Sequence, residues 1–199
     1  MRILALDFET SGLNPGVHAP VSLGVALMED GEVVAQKEWM IAPPRNKEGK
    51  ITRSYDVVAL EISGASWPRL KRDGLSPMQV CAELMGFAKE HDARGVTVVA
   101  FNSAFDHSWY SDLLFLAGAW NQAERRFEAF SPPLYGPWDC ARWKACVQLS
   151  LQRYDLDTVA AHFGFSRSGE SHGALEDAIL AGKIYFALES MTIKTGAEK

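Results

Sequence analysis

Asp7 and Glu9 stand two residues apart in Ile3-Leu4-Ala5-Leu6-Asp7-Phe8-Glu9, a segment that is otherwise apolar. On a strand, side chains at i and i+2 share a face, about 7 Å apart. Two acids on one face of a buried strand are costly unless something cationic pairs with them. No Lys or Arg lies between Ile3 and Gln36. A divalent cation would offset the charge, and hard cations such as Mg²⁺ take oxygen ligands. The alternative is that the strand ends here and both acids face water. Asp106 follows the apolar run Val96 to Phe101 and falls in the first turn of the next helix, where the helix dipole favours any acid. Asp177, beside Glu176, falls early in the last helix, and the same alternative applies. Asp112 reads as an ordinary exposed acid. His172 precedes Asp177 by five residues. The two converge only if His172 lies in the loop or cap before the helix, which Gly169 and Gly173 favour.

The elements that must position these groups follow from pattern. Ile3 to Glu9 reads as a buried strand, Val21 to Met28 as a second and Glu32 to Ile41 as a third. Asp30-Gly31 between the last two is the signal of a two-residue hairpin with a primed turn. Residues 43–75 carry little periodicity and hold Pro43, Pro44, Gly49, Gly64, Pro68 and Gly74, so a long irregular stretch is expected. Its Arg45, Lys47, Lys50 and Arg53 make either a basic arm near an anionic substrate or a solvated loop. Ser76-Pro77-Met78-Gln79 is a capping box opening a helix to about His91. Val96 to Phe101 predicts a strand covered on both faces, and Phe105 to Ala117 a helix. Asp139 is expected to cap a helix through about Leu149. Asp155 to Phe163 and Leu175 to Leu188 predict two more helices, with a tail from about Ser190 and one short strand near Leu134. The whole is an α/β layered domain with a mixed sheet.

The chain has 199 residues, enough for one domain with a sizeable core. Hydrophobic residues make up 47% and charged residues 23%, which excludes a disordered or fibrous chain. No apolar run reaches the length of a membrane span, and an acid at position 7 comes too early for a signal peptide. Cys81, Cys140 and Cys146 form no paired framework, so a reducing, cytoplasmic compartment is expected. The net charge of −5 excludes a protein that grips nucleic acid by bulk positive charge, although bound cations can supply that charge locally.

Asp7-Phe8-Glu9-Thr10, Asn102-Ser103-Ala104-Phe105-Asp106 and His172-Gly173-Ala174-Leu175-Glu176-Asp177-Ala178 together resemble the DEDDh 3′–5′ exonuclease superfamily, the DnaQ-like group with a ribonuclease H-like fold. Leu156-Asp157-Thr158-Val159 and Phe163-Gly164-Phe165 are similar to that family as well. The resemblance spans residues 1 to about 188. It departs where many members have Glu-Ile or Glu-Leu on the second strand and this chain has Ser22-Leu23. It is also loose over Leu60-Glu61-Ile62-Ser63-Gly64-Ala65, the family's substrate-contacting stretch.

The resemblance implies a mixed five-stranded sheet, its first three strands antiparallel, flanked by helices, with one exonuclease domain over residues 1–190 and a tail over 191–199. It implies an enzyme that hydrolyses nucleic acid from the 3′ end to nucleoside 5′-monophosphates with two divalent cations, Mg²⁺ or Mn²⁺. Asp7, Glu9, Asp106 and Asp177 would be the metal ligands, with Asp7 bridging both ions. His172 would be the general base. Phe8, Thr10, Ser63 and Phe105 would contact substrate, and Trp109 is a weaker candidate. The implied partners are single-stranded 3′ ends of DNA or RNA, and a polymerase or other replication or repair protein. Competing readings are a non-catalytic nucleic-acid or polymerase-binding module of the same fold, a ribonuclease H-like endonuclease, and a phosphatase or nucleotidase acting on small molecules.

Overall fold

The computed structural model describes residues 1–118, 120–121, 126–127, 132–167 and 173–196. Strand β1 (Arg2–Thr10) is buried on both faces, which is why its sequence is nearly continuous in apolar residues. Leu4, Leu6 and Phe8 point into one core, while Ile3 and Ala5 point into another on the opposite side. Asp7 and Glu9 continue the Ile3–Ala5 face. Strands β2 (Pro20–Glu29) and β3 (Glu32–Met40) complete an antiparallel meander. Asp30 and Gly31 between them have φ of 50° and 94°, the positive pair a primed turn requires.

The arm from residue 41 to 76 contains helices α1 (Val57–Ile62) and α2 (Trp67–Asp73). The sequence pattern predicts no helix here, because six- and seven-residue helices offer too few turns to show a period. The arm is anchored rather than loose. The Ser11 hydroxyl donates to Ser54 O at 2.8 Å, and the Asp56 amide donates to Ser11 O at 2.9 Å. Arg53 pairs with Asp112 at 3.0 Å, with side chains 11% and 8% exposed. Asp112 is therefore not the exposed acid its sequence position suggests.

Helix α3 (Pro77–Glu90) opens on the expected Ser76–Gln79 capping box. Strand β4 (Thr97–Ala100) pairs parallel with β1 and leads into α4 (Ser103–Leu116). Strands β5 (Trp120–Asn121) and β6 (Arg126–Phe127) pair antiparallel in a separate two-stranded sheet. The fifth strand of the main sheet is β7 (Trp138–Cys140), pairing parallel with β4, a few residues beyond the strand expected near Leu134. Asp139 belongs to that strand, and Cys140 caps α5 (Ala141–Gln148) in its place. Helix α6 (Leu156–His162) follows, capped by Asp155. Helix α7 (Ala174–Gly196) runs past the predicted end near Ser190. The sheet order is β3-β2-β1-β4-β7, so β1 is central and the first three strands are antiparallel, as expected.

Helices α3 and α4 cover the Leu4–Leu6–Phe8 face. Helices α5, α6 and α7 contribute to the core on the Ile3–Ala5 face. Helix α7 approaches so closely at its start that a Cβ on Gly24 of β2 would lie 2.2 Å from the Leu175 nitrogen and 2.3 Å from the Ala174 carbonyl carbon. Backbone cannot yield as a side chain can, so Gly24→Val must push α7 off the sheet. It is expected to destabilise the protein by about 1–3 kcal/mol in urea unfolding. An unchanged midpoint would contradict the close seating of α7.

Candidate active site

The strand register lays out the site. Asp7 of β1 lies opposite Gly24 of β2, and Gly24 lies opposite Glu38 of β3. One step along, Glu9 faces Ser22. The first turn of α7 sits over the bare Gly24 backbone, and Asp177 in that turn comes down beside Asp7 and Glu9. One carboxylate oxygen from each of Asp7, Glu9 and Asp177 lies within 4.8 Å of the other two.

Asp106 arrives from the other layer. The β1/β4 ladder pairs Ile3–Ala5 with Thr97–Val99. Beyond it, the Phe8 amide donates to the Asp106 carboxylate at 3.1 Å. Helix α4 thus plugs the site from the end of β4, and the backbone of β1 holds its acid. Asp106 is 2% exposed.

Burial, and then the neighbouring charges of Asp106, Glu9 and Asp177, hold the Asp7 carboxyl well above the usual carboxylate range, with Arg167 opposing them. Burial pushes Asp106 up to about 7, against the hydrogen bond from Phe8 and with the help of the Glu9 charge. The local counter-charge is Arg167, a residue the sequence reading passed over. Its Nε and Nη2 donate to the two oxygens of Asp177 at 2.6 and 3.0 Å, and its Nη1 pairs with Asp157 of α6. The donor set is all carboxylate oxygen, which suits a hard divalent cation. A guanidinium clamped on Asp177 shows that this place attracts positive charge. The residues present therefore fit a divalent cation.

His172 lies outside the described residues. The other candidates are placed as follows. The Phe8 ring is buried in the core on the face away from Asp7, leaving its amide in the site. Phe105 packs part-buried against that core and edge-on to Trp109, which is fully buried. The Thr10 hydroxyl donates to Gly12 O at 2.7 Å, and the Ser63 hydroxyl to Leu60 O at 3.0 Å at the end of α1. A groove of about 410 Å³ opens beside Glu9 and Thr10, walled by Leu13, Val58 and Ile62. These three apolar side chains are exposed, and α1 buries none of its residues.

No protein-family model matches the chain. Over 200 residues it is 26% identical to the PolC-type DNA polymerase III of Thermotoga petrophila, and equally to that of Thermotoga maritima. Those alignments take in 98% of this chain and 12% of each polymerase, so the chain spans about an eighth of the curated relatives it matches. The nuclease domain of 3′hExo, a DEDDh family member bound to rAMP, superposes with a TM-score of 0.70 at 17% identity, over 96% of this chain and 92% of that one. The fold is that of the DEDDh exonucleases. Exonuclease I from Methylocaldum szegediense shares it with a TM-score of 0.73 at 14% identity, over 97% of this chain and 41% of that one. Within this fold Asp7 and Glu9 come from β1, Asp106 from α4 and Asp177 from α7.

The raised carboxyls make stability depend on pH and on cations. Asp106 titrates near 7 when folded and near 3.8 when unfolded. The unfolded chain therefore loses its proton first, and metal-free protein should lose stability as pH rises from about 4 to about 7. Mn²⁺ at a hundredfold excess over its dissociation constant should restore about 2.7 kcal/mol. Thermal melts across this range, with chelator and with Mn²⁺, check both. A flat profile and no response to Mn²⁺ would contradict the clustered acids.

Proposed function

We propose that this chain is a divalent-cation-dependent 3′–5′ exonuclease, with residues 1–190 as the nuclease unit, that releases nucleoside 5′-monophosphates from single-stranded 3′ ends. The observation that carries this reading is the convergence of Asp7, Glu9 and Asp177 oxygens within 4.8 Å, with Asp106 held by the next amide of the same strand. The fold shared with exonucleases supports it.

Asp7, Glu9, Asp106 and Asp177 would hold two cations, Mg²⁺ or Mn²⁺. When bound, these would stabilise charge on the attacking and leaving oxygens of a phosphodiester. The four acids bind and orient. The Phe8 amide keeps the Asp106 carboxylate aimed inward. His172, five residues before Asp177, takes the proton from the attacking water as general base, a role that needs a neutral imidazole. The groove beside Glu9 receives the terminal nucleotide, with Leu13, Val58 and Ile62 offering apolar contact to its base.

The solved relatives bear on the substrate. One, Exonuclease I of E. coli, is in complex with a dT13 oligonucleotide, and another, Exonuclease X, is in complex with 5′ overhanging duplex DNA. We take single-stranded 3′ ends as the substrate, and a polymerase or other replication or repair protein as partner, because the matching curated chains are DNA polymerases.

On a 5′-labelled single-stranded oligonucleotide with Mn²⁺, the expected product is a ladder shortened from the 3′ end, absent with chelator or with a 3′-phosphate block. Asp7→Ala should abolish it. His172→Ala should slow it by roughly 10²–10⁴-fold. Cleavage of a circular single strand, or full activity of folded Asp7→Ala, would overturn the reading.

A further inference from the structure

Arg167 lies in the segment between α6 and α7, ten residues before Asp177. The backbone leading to it is anchored. The Phe165 amide donates to Ala160 O at 2.9 Å, and the Phe163 and Phe165 rings stack with centroids 6.1 Å apart against the Ile3–Ala5 core. Any movement of the guanidinium must therefore come from its own side chain. The guanidinium has two partners of different character. Nε and Nη2 form a fork on both oxygens of Asp177, while Nη1 donates to Asp157 of α6. The Arg167 and Asp177 side chains are 12% and 9% exposed, but that of Asp157 is 63% exposed. One edge of the guanidinium thus meets a nearly buried acid, and the other reaches toward water.

The fork stands where a cation must bind. A cation shared by Asp7, Glu9 and Asp177 needs an oxygen of Asp177, and the fork holds both. A guanidinium and a divalent cation against one carboxylate also repel each other, more strongly where water is scarce. The two occupants therefore compete. Arg167 must release Nε or Nη2 when a cation takes that oxygen, yet it can keep Asp157. The freed fork is then a pair of donors held beside the site by a tether. Its spacing suits two oxygens of one anion, and a phosphate supplies them as a carboxylate does. A part-buried guanidinium that has lost its partner is costly, which favours taking up such an anion.

We propose that Arg167 exchanges partners: it holds Asp177 while the acids lack a cation, and binds a phosphate of the terminal nucleotide once a cation has displaced it, with Asp157 as its tether in both states. The phosphate half rests on the nuclease reading above. The competition with a cation rests on the fork and the acidic cluster. A guanidinium that merely braced Asp177 as a ligand would behave in the opposite way, since its removal would lower cation affinity.

The test uses the full chain as wild type, Arg167→Gln and Arg167→Lys. Calorimetry measures Mn²⁺ alone, then thymidine 5′-monophosphate at saturating Mn²⁺, with thymidine as the phosphate-free control. Arg167→Gln should bind Mn²⁺ about three- to tenfold more tightly, the worth of one ion pair. It should bind the monophosphate about tenfold more weakly, the worth of a charged hydrogen bond, with thymidine unchanged. Arg167→Lys, which keeps the charge and loses the fork, should fall between on both. Should the variants not fold, the wild type still decides. Its Arg167 Nε–H resonance should shift and exchange at least about tenfold faster on saturation with Mg²⁺, then regain protection when the monophosphate is added. Equal or weaker Mn²⁺ binding by Arg167→Gln, or an Nε–H resonance indifferent to Mg²⁺, overturns the proposal. Unchanged monophosphate affinity, or an equal loss for thymidine, overturns its phosphate half and leaves the nuclease reading standing. Mn²⁺ binding by Arg167→Gln but not by wild type sinks the nuclease reading and upholds the competition. No Mn²⁺ binding by either sinks both.

Discussion

A missing side chain governs the arrangement. Helix α7 reaches the sheet where Gly24 presents backbone alone, and any Cβ there would overlap the Ala174–Leu175 peptide. That approach lets an acid on a helix meet two acids on a strand. The meeting is unfavourable in itself, since burial and mutual repulsion raise the Asp7 and Asp106 carboxyls. Packing must therefore hold the groups together against their charge. The apolar stripe of α7, with Ala178, Ala181, Ile184 and Leu188 all buried, does this on the Ile3–Ala5 face of the sheet.

Each acid has its own restraint. Asp7 and Glu9 are fixed by the β1–β2 ladder, Asp106 by the Phe8 amide, and Asp177 by the seat of α7 together with the Arg167 fork. The guanidinium balances charge that a divalent cation would otherwise balance. Two secondary elements far apart in sequence, β1 and α7, thus place oxygen donors within 4.8 Å of one another, with Asp106 of α4 held at the neighbouring Phe8 amide. On the far side of Glu9, the arm carrying α1 is tied to β1 through Ser11 and to α4 through Arg53 and Asp112, so the apolar wall of the groove is part of the same frame.

Much of this was legible in the sequence, for physical reasons. Asp7 and Glu9 announce themselves because two acids in an apolar strand demand an explanation, and the hairpin and capping box because turn and cap chemistry is local. What was not legible is tertiary. Arg167 reaches Asp177 only once α6 and α7 have packed. Arg53 and Asp112 are 59 residues apart, and neither carries a local sign of burial. Strand β7, three residues long, is too short for alternation to reveal, and α1 and α2 are too short for a helical period.

The central claim is that Asp7, Glu9 and Asp177 share a cation. Anomalous diffraction from a crystal soaked in Mn²⁺ tests it most directly. The account predicts a peak bonded to an oxygen of each of the three, with at least one Arg167 contact to Asp177 lengthened or broken. A fully soaked crystal with no peak among these carboxylates, and the Arg167 fork intact, would contradict it.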